Sequence, residues 1–199
     1  LATGIVTQNK GGSVQSKYMG PDGKLISGYV ENQAQHRDPD ATNLIGGNGG
    51  TAPTKTTGLT APDGSNTAVK FTTTQQYYFS QVAQTYTQGE HYTMSAYYKV
   101  LSGTVSVGVA MDLDAFGGAT AVFERAQYTI SSDGSAPTFD TSRRTGGGDY
   151  GIQDVGDGWY RIWVSAQADF TARKTSPTVE YNNQAYRVDD TGVGDEVLI

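Results

Sequence analysis

Three side chains in the stretch DVGDGWYRIWVSAQ, Asp154 to Gln167, have the types and spacing of a sugar-binding surface. Trp159, Arg161 and Trp163 occupy alternate positions, and in a β-strand alternate side chains share a face. Tyr160, Ile162, Val164 and Ala166 then take the opposite, core-facing side. Indole faces suit the C–H surfaces of sugar rings, and a guanidinium can bond hydroxyls or a carboxylate. Tyr97 and Lys99 alternate in the same way on the non-core side of YTMSAYYKV, Tyr92 to Val100, and join the first three if the two strands are neighbours. A second reading of the same pattern stands beside this one. The indoles, the only two tryptophans of the chain, can be covered by a loop, an N-terminal arm or a neighbouring subunit, because bare convex surface rarely carries such groups. Trp159, directly after the Asp157-Gly158 turn dipeptide, is also suited to plugging the end of a sandwich.

Covalent and acid–base chemistry find little support. The chain has no cysteine, which excludes disulfides, thiolate metal sites and cysteine nucleophiles. Its two histidines, His36 and His91, fall in a polar N-terminal region and before a strand. His36-Arg37-Asp38 matches a kinase catalytic string with the rest of that signature missing. Gly146-Gly147-Gly148 lacks the lysine and helix that cradle phosphate. Asp112 and Asp114 share a face if their strand persists, and Asp189-Asp190 and Asp195-Glu196 flank a Gly-rich turn. Such pairs can serve a glycosidase, but acids beside turns are usually solvated. The chain is therefore read as non-enzymatic, with no catalytic residue. The turn DDTGVGDE has the hard oxygen donors of a structural calcium site but not the EF-hand spacing, so no cofactor is assigned beyond that calcium option. A formal charge of −6 opposes a nucleic-acid footprint. No apolar run approaches the roughly 18 residues of a membrane helix, and LATGIVTQNK lacks the basic and apolar regions of a signal peptide.

The elements that must position these side chains are strands. With 26 glycines and 13 tyrosines among 199 residues, the composition favours strands joined by tight turns. A period of two recurs from Asn43 onward: at residues 67–73, 77–83, 92–100, 104–111, 120–130, 160–167, 178–188 and 196–199. Val105, Val107, Val109 and Met111 fall on one face. Ser132 to Ser135 and Arg144 to Asp149 read as loops. Residues 1–42 are polar and broken by Gly and Pro, with a turn signal at Pro21-Asp22-Gly23 and one short strand in GKLISGYVE; they read as an extended arm or linker. The expectation is an all-β protein, an antiparallel jelly-roll β-sandwich over 43–199 with an extended N-terminal arm over 1–42.

Five segments, in order, resemble the carbohydrate-binding-module-like β-sandwich of tailed-phage structural proteins such as tail fibres, tail spikes and head-attached appendages. They are Asn43-Leu44-Ile45; TAPDG at 60–64 with TAVKF at 67–71; GEHYTMSAYYK at 89–99; IQDVGDGWYR at 152–161; and GDEVLI at 194–199. The last decapeptide is similar to the family's most specific string, IEDVGNGWYR. The family's frequent Trp-Gly-Ala-Gln-Leu-Glu tail is missing, and residues 1–42 have no counterpart in it. The resemblance, which covers about 43–199, implies a jelly roll and a role on the virion surface: an appendage, fibre or decoration protein, tethered through its N-terminal arm to other virion proteins, homo-oligomeric, and able to contact a host surface glycan. The alternative from a different class is a glycan-binding module of a secreted carbohydrate-active enzyme.

Overall fold

The computed structural model describes residues 9–10, 13–19, 25–31, 45–46, 53–74, 77–111, 124–141, 148–168, 178–189 and 192–199. Contacts divide the chain into two compact units, Leu1–Arg37 and Asp38–Ile199. In the first, β1 (Asn9–Lys10), β2 (Ser13–Met19) and β3 (Leu25–Glu31) form a three-stranded antiparallel sheet in the order β1-β2-β3. The β2–β3 register runs from Ser13 opposite Glu31 to Met19 opposite Leu25, on either side of the Pro21-Asp22-Gly23 signal. The segment read as an arm thus contains sheet structure, and the division after Arg37 falls slightly before the boundary drawn from composition.

The second unit is all-β. Its strands are β4 (Ile45–Gly46), β5 (Thr54–Leu59), β6 (Ala68–Thr72), β7 (Tyr77–Thr87), β8 (His91–Ser102), β9 (Thr104–Met111), β10 (Glu124–Ser131), β11 (Thr138–Phe139), β12 (Asp149–Gly156), β13 (Trp159–Gln167), β14 (Thr178–Asp189) and β15 (Glu196–Leu198). They make two six-stranded antiparallel sheets: sheet I in the order β11-β10-β9-β14-β7-β4, and sheet II in the order β12-β13-β8-β15-β6-β5. The sheets face each other across one core, as a β-sandwich.

Strict alternation builds that core. Val105, Val107, Val109 and Met111 on β9 and Ala126, Tyr128 and Ile130 on β10 meet Ala96, Tyr98 and Val100 on β8 and Ile162, Val164 and Ala166 on β13. Val69 and Phe71 of β6 and Val197 of β15 extend it. Tyr98 is fully buried and spans the sandwich: its hydroxyl donates to the Gly108 carbonyl at 2.5 Å and lies 3.4 Å from the Arg187 backbone N–H. At one edge, Phe139 of β11 stacks on Tyr150 of β12 with ring centroids 4.4 Å apart, so an aromatic pair joins the two sheets where their ladders end.

The sandwich strands that the alternation did not predict are its four sheet edges, the two-residue β4 and β11 of sheet I and the longer β5 and β12 of sheet II. β5 (TKTTGL) is mostly exposed, and β12 (DYGIQDVG) carries glycines and acids. An edge strand hydrogen-bonds on one side and contributes little to the core, so its sequence need not alternate. The stretch Arg144 to Asp149, read as a loop, ends inside β12; residues 142–147 lie outside the described residues.

Candidate functional site

The outward face of sheet II collects all five singled-out side chains. β13 pairs with β8, so the two strands are neighbours: Arg161 lies opposite Tyr97 and Trp163 opposite Ser95. On its other side β13 pairs with β12, which sets Gln153 beside Arg161 and Gly151 beside Trp163. Lys99 faces Leu198 of β15 across the next ladder. Two cross-strand rows result, Gly151–Trp163–Ser95 and Gln153–Arg161–Tyr97, with Lys99 and Trp159 one step further along.

The two indoles have different surroundings. Trp163 is half-buried and lies flat over Gly151: a Cβ added there would come within 2.8 Å of three indole atoms, Cε2, Cζ2 and Nε1. Glycine on the edge strand is what lets the ring lie down. Trp159 is only 5 % exposed and packs with Ala68, Leu198, Leu59 and Ala61, a cluster separate from the main core. Its cover is the loop after β5. Ala61 is held there by a closed turn, in which Gly64 N–H donates to Ala61 O, Ala61 N–H to Ser65 O, and Ser65 N–H to the Asp63 carboxylate at 2.9 Å. Segments from three of the resemblance motifs, Thr60 to Gly64, Asp157 to Arg161 and Glu196 to Ile199, therefore meet around one indole.

The Asp157-Gly158 dipeptide forms the two-residue turn expected of it. Both residues have positive φ, 52° and 76°, the combination of a type I′ hairpin. Just before it, the β12–β13 register slips between Asp154 and Gly156, and the bulge is fixed by Gly156 N–H donating to Asp154 Oδ1 at 2.8 Å. Val155, in the bulge, is left exposed. This hairpin and the Leu59–Pro62 loop wall a groove of about 680 Å³ that also touches Trp159, Leu198, Lys99 and Leu101. The groove and the Trp163–Arg161–Tyr97 rows are continuous through Lys99.

Polar groups complete the strip. Arg161 Nη2 donates to Ser95 Oγ at 3.2 Å, and Tyr97 is 41 % exposed beside it. One row beyond Trp163, the Thr93 and Ser165 hydroxyls are 2.7 Å apart. Gln153, Ser95, Leu101 and Val155 were missed by reading the chain alone. The first two follow only from register, and the last two from a bulge and a groove that no periodicity encodes.

The acids considered for other chemistry have other work or lie elsewhere. Asp195 Oδ2 accepts the Gly192 N–H at 2.5 Å and closes its turn. Glu196 forms an ion pair with Lys70 at 2.6 Å, both partly exposed. These contacts engage two of the four carboxylates of the DDTGVGDE turn read as a calcium option. Among the described residues no three His, Asp or Glu side chains cluster as a metal site. Asp112, Asp114, Asp190, His36 and Gly146-Gly147 lie outside the described residues. His91 opens β8 and is exposed. No protein-family model matches the chain, and no curated protein matches it.

Proposed function

We propose that the chain is a non-enzymatic structural protein of a phage particle, an appendage, fibre or decoration, that displays a carbohydrate-binding-like jelly-roll sandwich at the virion surface and touches host glycans with the outer face of sheet II. The observation that carries the binding half is the assembly of Trp163, Arg161, Tyr97 and Lys99 on one outward face from two adjacent strands. A half-buried indole, an exposed phenol and side-chain donors side by side make the mixed apolar and polar surface that sugar rings require. Strands β13-β8-β15-β6 opposite β10-β9-β14-β7 support the jelly-roll reading, because the chain crosses between the sheets from β6 to β7, β7 to β8, β8 to β9, β13 to β14 and β14 to β15. The virion half rests on the family resemblance of residues 43–199. In this reading the N-terminal unit contacts other virion proteins and a homo-oligomer forms.

Two measurements test the proposal. Antibody against the chain should label purified phage particles in negative stain, and particles free of label would remove the virion role. Glycan binding to the full chain should protect tryptophan fluorescence from acrylamide, and Trp163→Ala should weaken that binding by an amount typical of one stacking contact, about 1 kcal/mol. Unchanged affinity in a folded Trp163→Ala protein would remove the site.

A further inference from the structure

We infer that the outer face of sheet II selects acidic polysaccharide, a sugar chain bearing carboxylates, over neutral glycans. The inference rests on the glycan-binding reading and adds the ligand's charge to it. Its source is the placement of charge along this face. The chain as a whole carries 20 Asp and Glu against 14 Lys and Arg, yet the strip presents two cations whose cross-strand neighbours are neutral. Arg161 stands between Gln153 and Tyr97, and Lys99 faces Leu198. Neither has a carboxylate partner among the described residues, whereas Lys70 is paired with Glu196.

Arg161 is poised rather than consumed. One terminal nitrogen, Nη2, is held by Ser95 Oγ. A guanidinium carries five donor hydrogens in a fixed fork, so several stay available to a carboxylate. The Ser95 bond fixes the orientation of the fork and lowers the entropy lost on binding. Lys99 supplies a second positive charge at the mouth of the groove, its stem running past Gly158. Of the carboxylates on this face, Glu196 is paired with Lys70, and Asp149 beside Ser165 and Asp157 in the turn that walls the groove stand at the two ends of the strip. The cations lie between them.

The geometry also speaks for a chain rather than a single sugar. From Trp159 to Trp163 the strand advances by four residues, about 13 Å at 3.3 Å per residue, which is longer than one sugar ring. Over that length the face offers an indole surface, a guanidinium, a phenol, an amine and a groove of mixed polar and apolar lining. An acidic polymer would be repelled by most of a net-negative protein and admitted only where cations are gathered, so binding should weaken as salt rises.

The test uses the full chain and a panel of bacterial capsular polysaccharides containing uronic acids, each before and after chemical reduction of its carboxyl groups to alcohols. Binding is read by protection of tryptophan fluorescence. The expected result is binding of at least one intact polymer, weakened roughly ten-fold or more by carboxyl reduction, as suits loss of a charged hydrogen bond. Arg161→Gln should weaken binding of the intact polymer by a larger factor than binding of its reduced form, and an equal loss on both would overturn the role of charge. Lys99→Gln, at a second position on the same face, should act in the same direction. Equal binding before and after reduction would overturn the acidic selectivity while leaving the glycan-binding reading in place. Binding of no polymer, acidic or reduced, would overturn both.

Discussion

Replacing each tryptophan in turn separates packing from binding on a single strand. Trp159 is 5 % exposed among Ala68, Leu198, Leu59 and Ala61. Burying an indole removes roughly 200 Å² from water, and at about 25 cal/mol per Å² that is about 5 kcal/mol. Alanine keeps part of this area, and the compact denatured chain already hides some of it. The space left by truncation would adjoin the 680 Å³ groove, so water can enter and no sealed void remains to add its own penalty. Trp159→Ala should therefore cost about 3 kcal/mol. Trp163 is half-buried over Gly151, and Trp163→Ala should cost about 1 kcal/mol. Urea unfolding measures both, since each variant retains one tryptophan as its reporter. The midpoint should shift far more for the first variant, with little change in slope. Trp159 alone should emit from a protected site, and Trp163 alone from a more accessible one. If Trp159→Ala fails to fold, Trp159→Phe supplies the same comparison at a smaller cost, about 1–2 kcal/mol. Equal losses for the two sites, or less than about 1 kcal/mol at Trp159, would refute the packing role assigned to that indole.

Three further outcomes follow from specific contacts. Tyr98→Phe removes a buried hydroxyl that donates to Gly108 O at 2.5 Å; leaving that carbonyl one donor short should cost about 2 kcal/mol in denaturant unfolding, and a neutral result would mean that the bond adds nothing. Gly151→Ala places a methyl 2.8 Å from the Trp163 indole, so the ring must swing away; in a Trp159→Phe background, emission should shift to the red and quench more readily, and an unchanged spectrum would show that the ring does not lie over Gly151. The Ser135 hydrogen bonds, followed by one from Ser131, hold the Asp133 carboxyl below the usual aspartate range. Its stabilising contribution is thus present above the unfolded pKa and lost as pH falls through the lower folded value; a carboxyl titration by NMR should show that depressed midpoint, and Asp133→Asn should remove this part of the acid dependence.

The fold was legible wherever a strand sits inside the sandwich. On β8 and β13 alternate residues meet the core, so apolar and polar positions alternate there, and both faces could be assigned from the chain alone. The edge strands β5 and β12 escaped because burial does not constrain them in that way. The sharing of a face by Trp159, Arg161 and Trp163 was legible for the same reason that the core was. That Tyr97 stands beside Arg161 was not, because register between strands distant in sequence depends on the whole sheet.

Periodicity names the face a side chain takes but not what lies on top of that face, and the two indoles differ in that respect. Trp159 and Trp163 are four residues apart on one side of one strand. The Leu59–Ala61 segment covers the first, while the second rests on the bare backbone of Gly151. The cover is encoded about a hundred residues earlier, in a turn closed by Asp63 and Gly64. The gap beside Trp163 is encoded in a glycine of the neighbouring edge strand. The two readings of the tryptophan pair therefore separate: Trp159 is a packing element, and only Trp163 stays open to the platform role that we propose. Buried Trp159 anchors the hairpin and the β5–β6 loop, fixing the groove walls and the positions of Lys99 and Arg161. Trp163, held flat and partly open, is the indole that the proposed function assigns to a ligand. A substitution at Trp159 that impairs binding should do so by loosening these walls, and should lower stability in step; one at Trp163 should impair binding with stability largely kept.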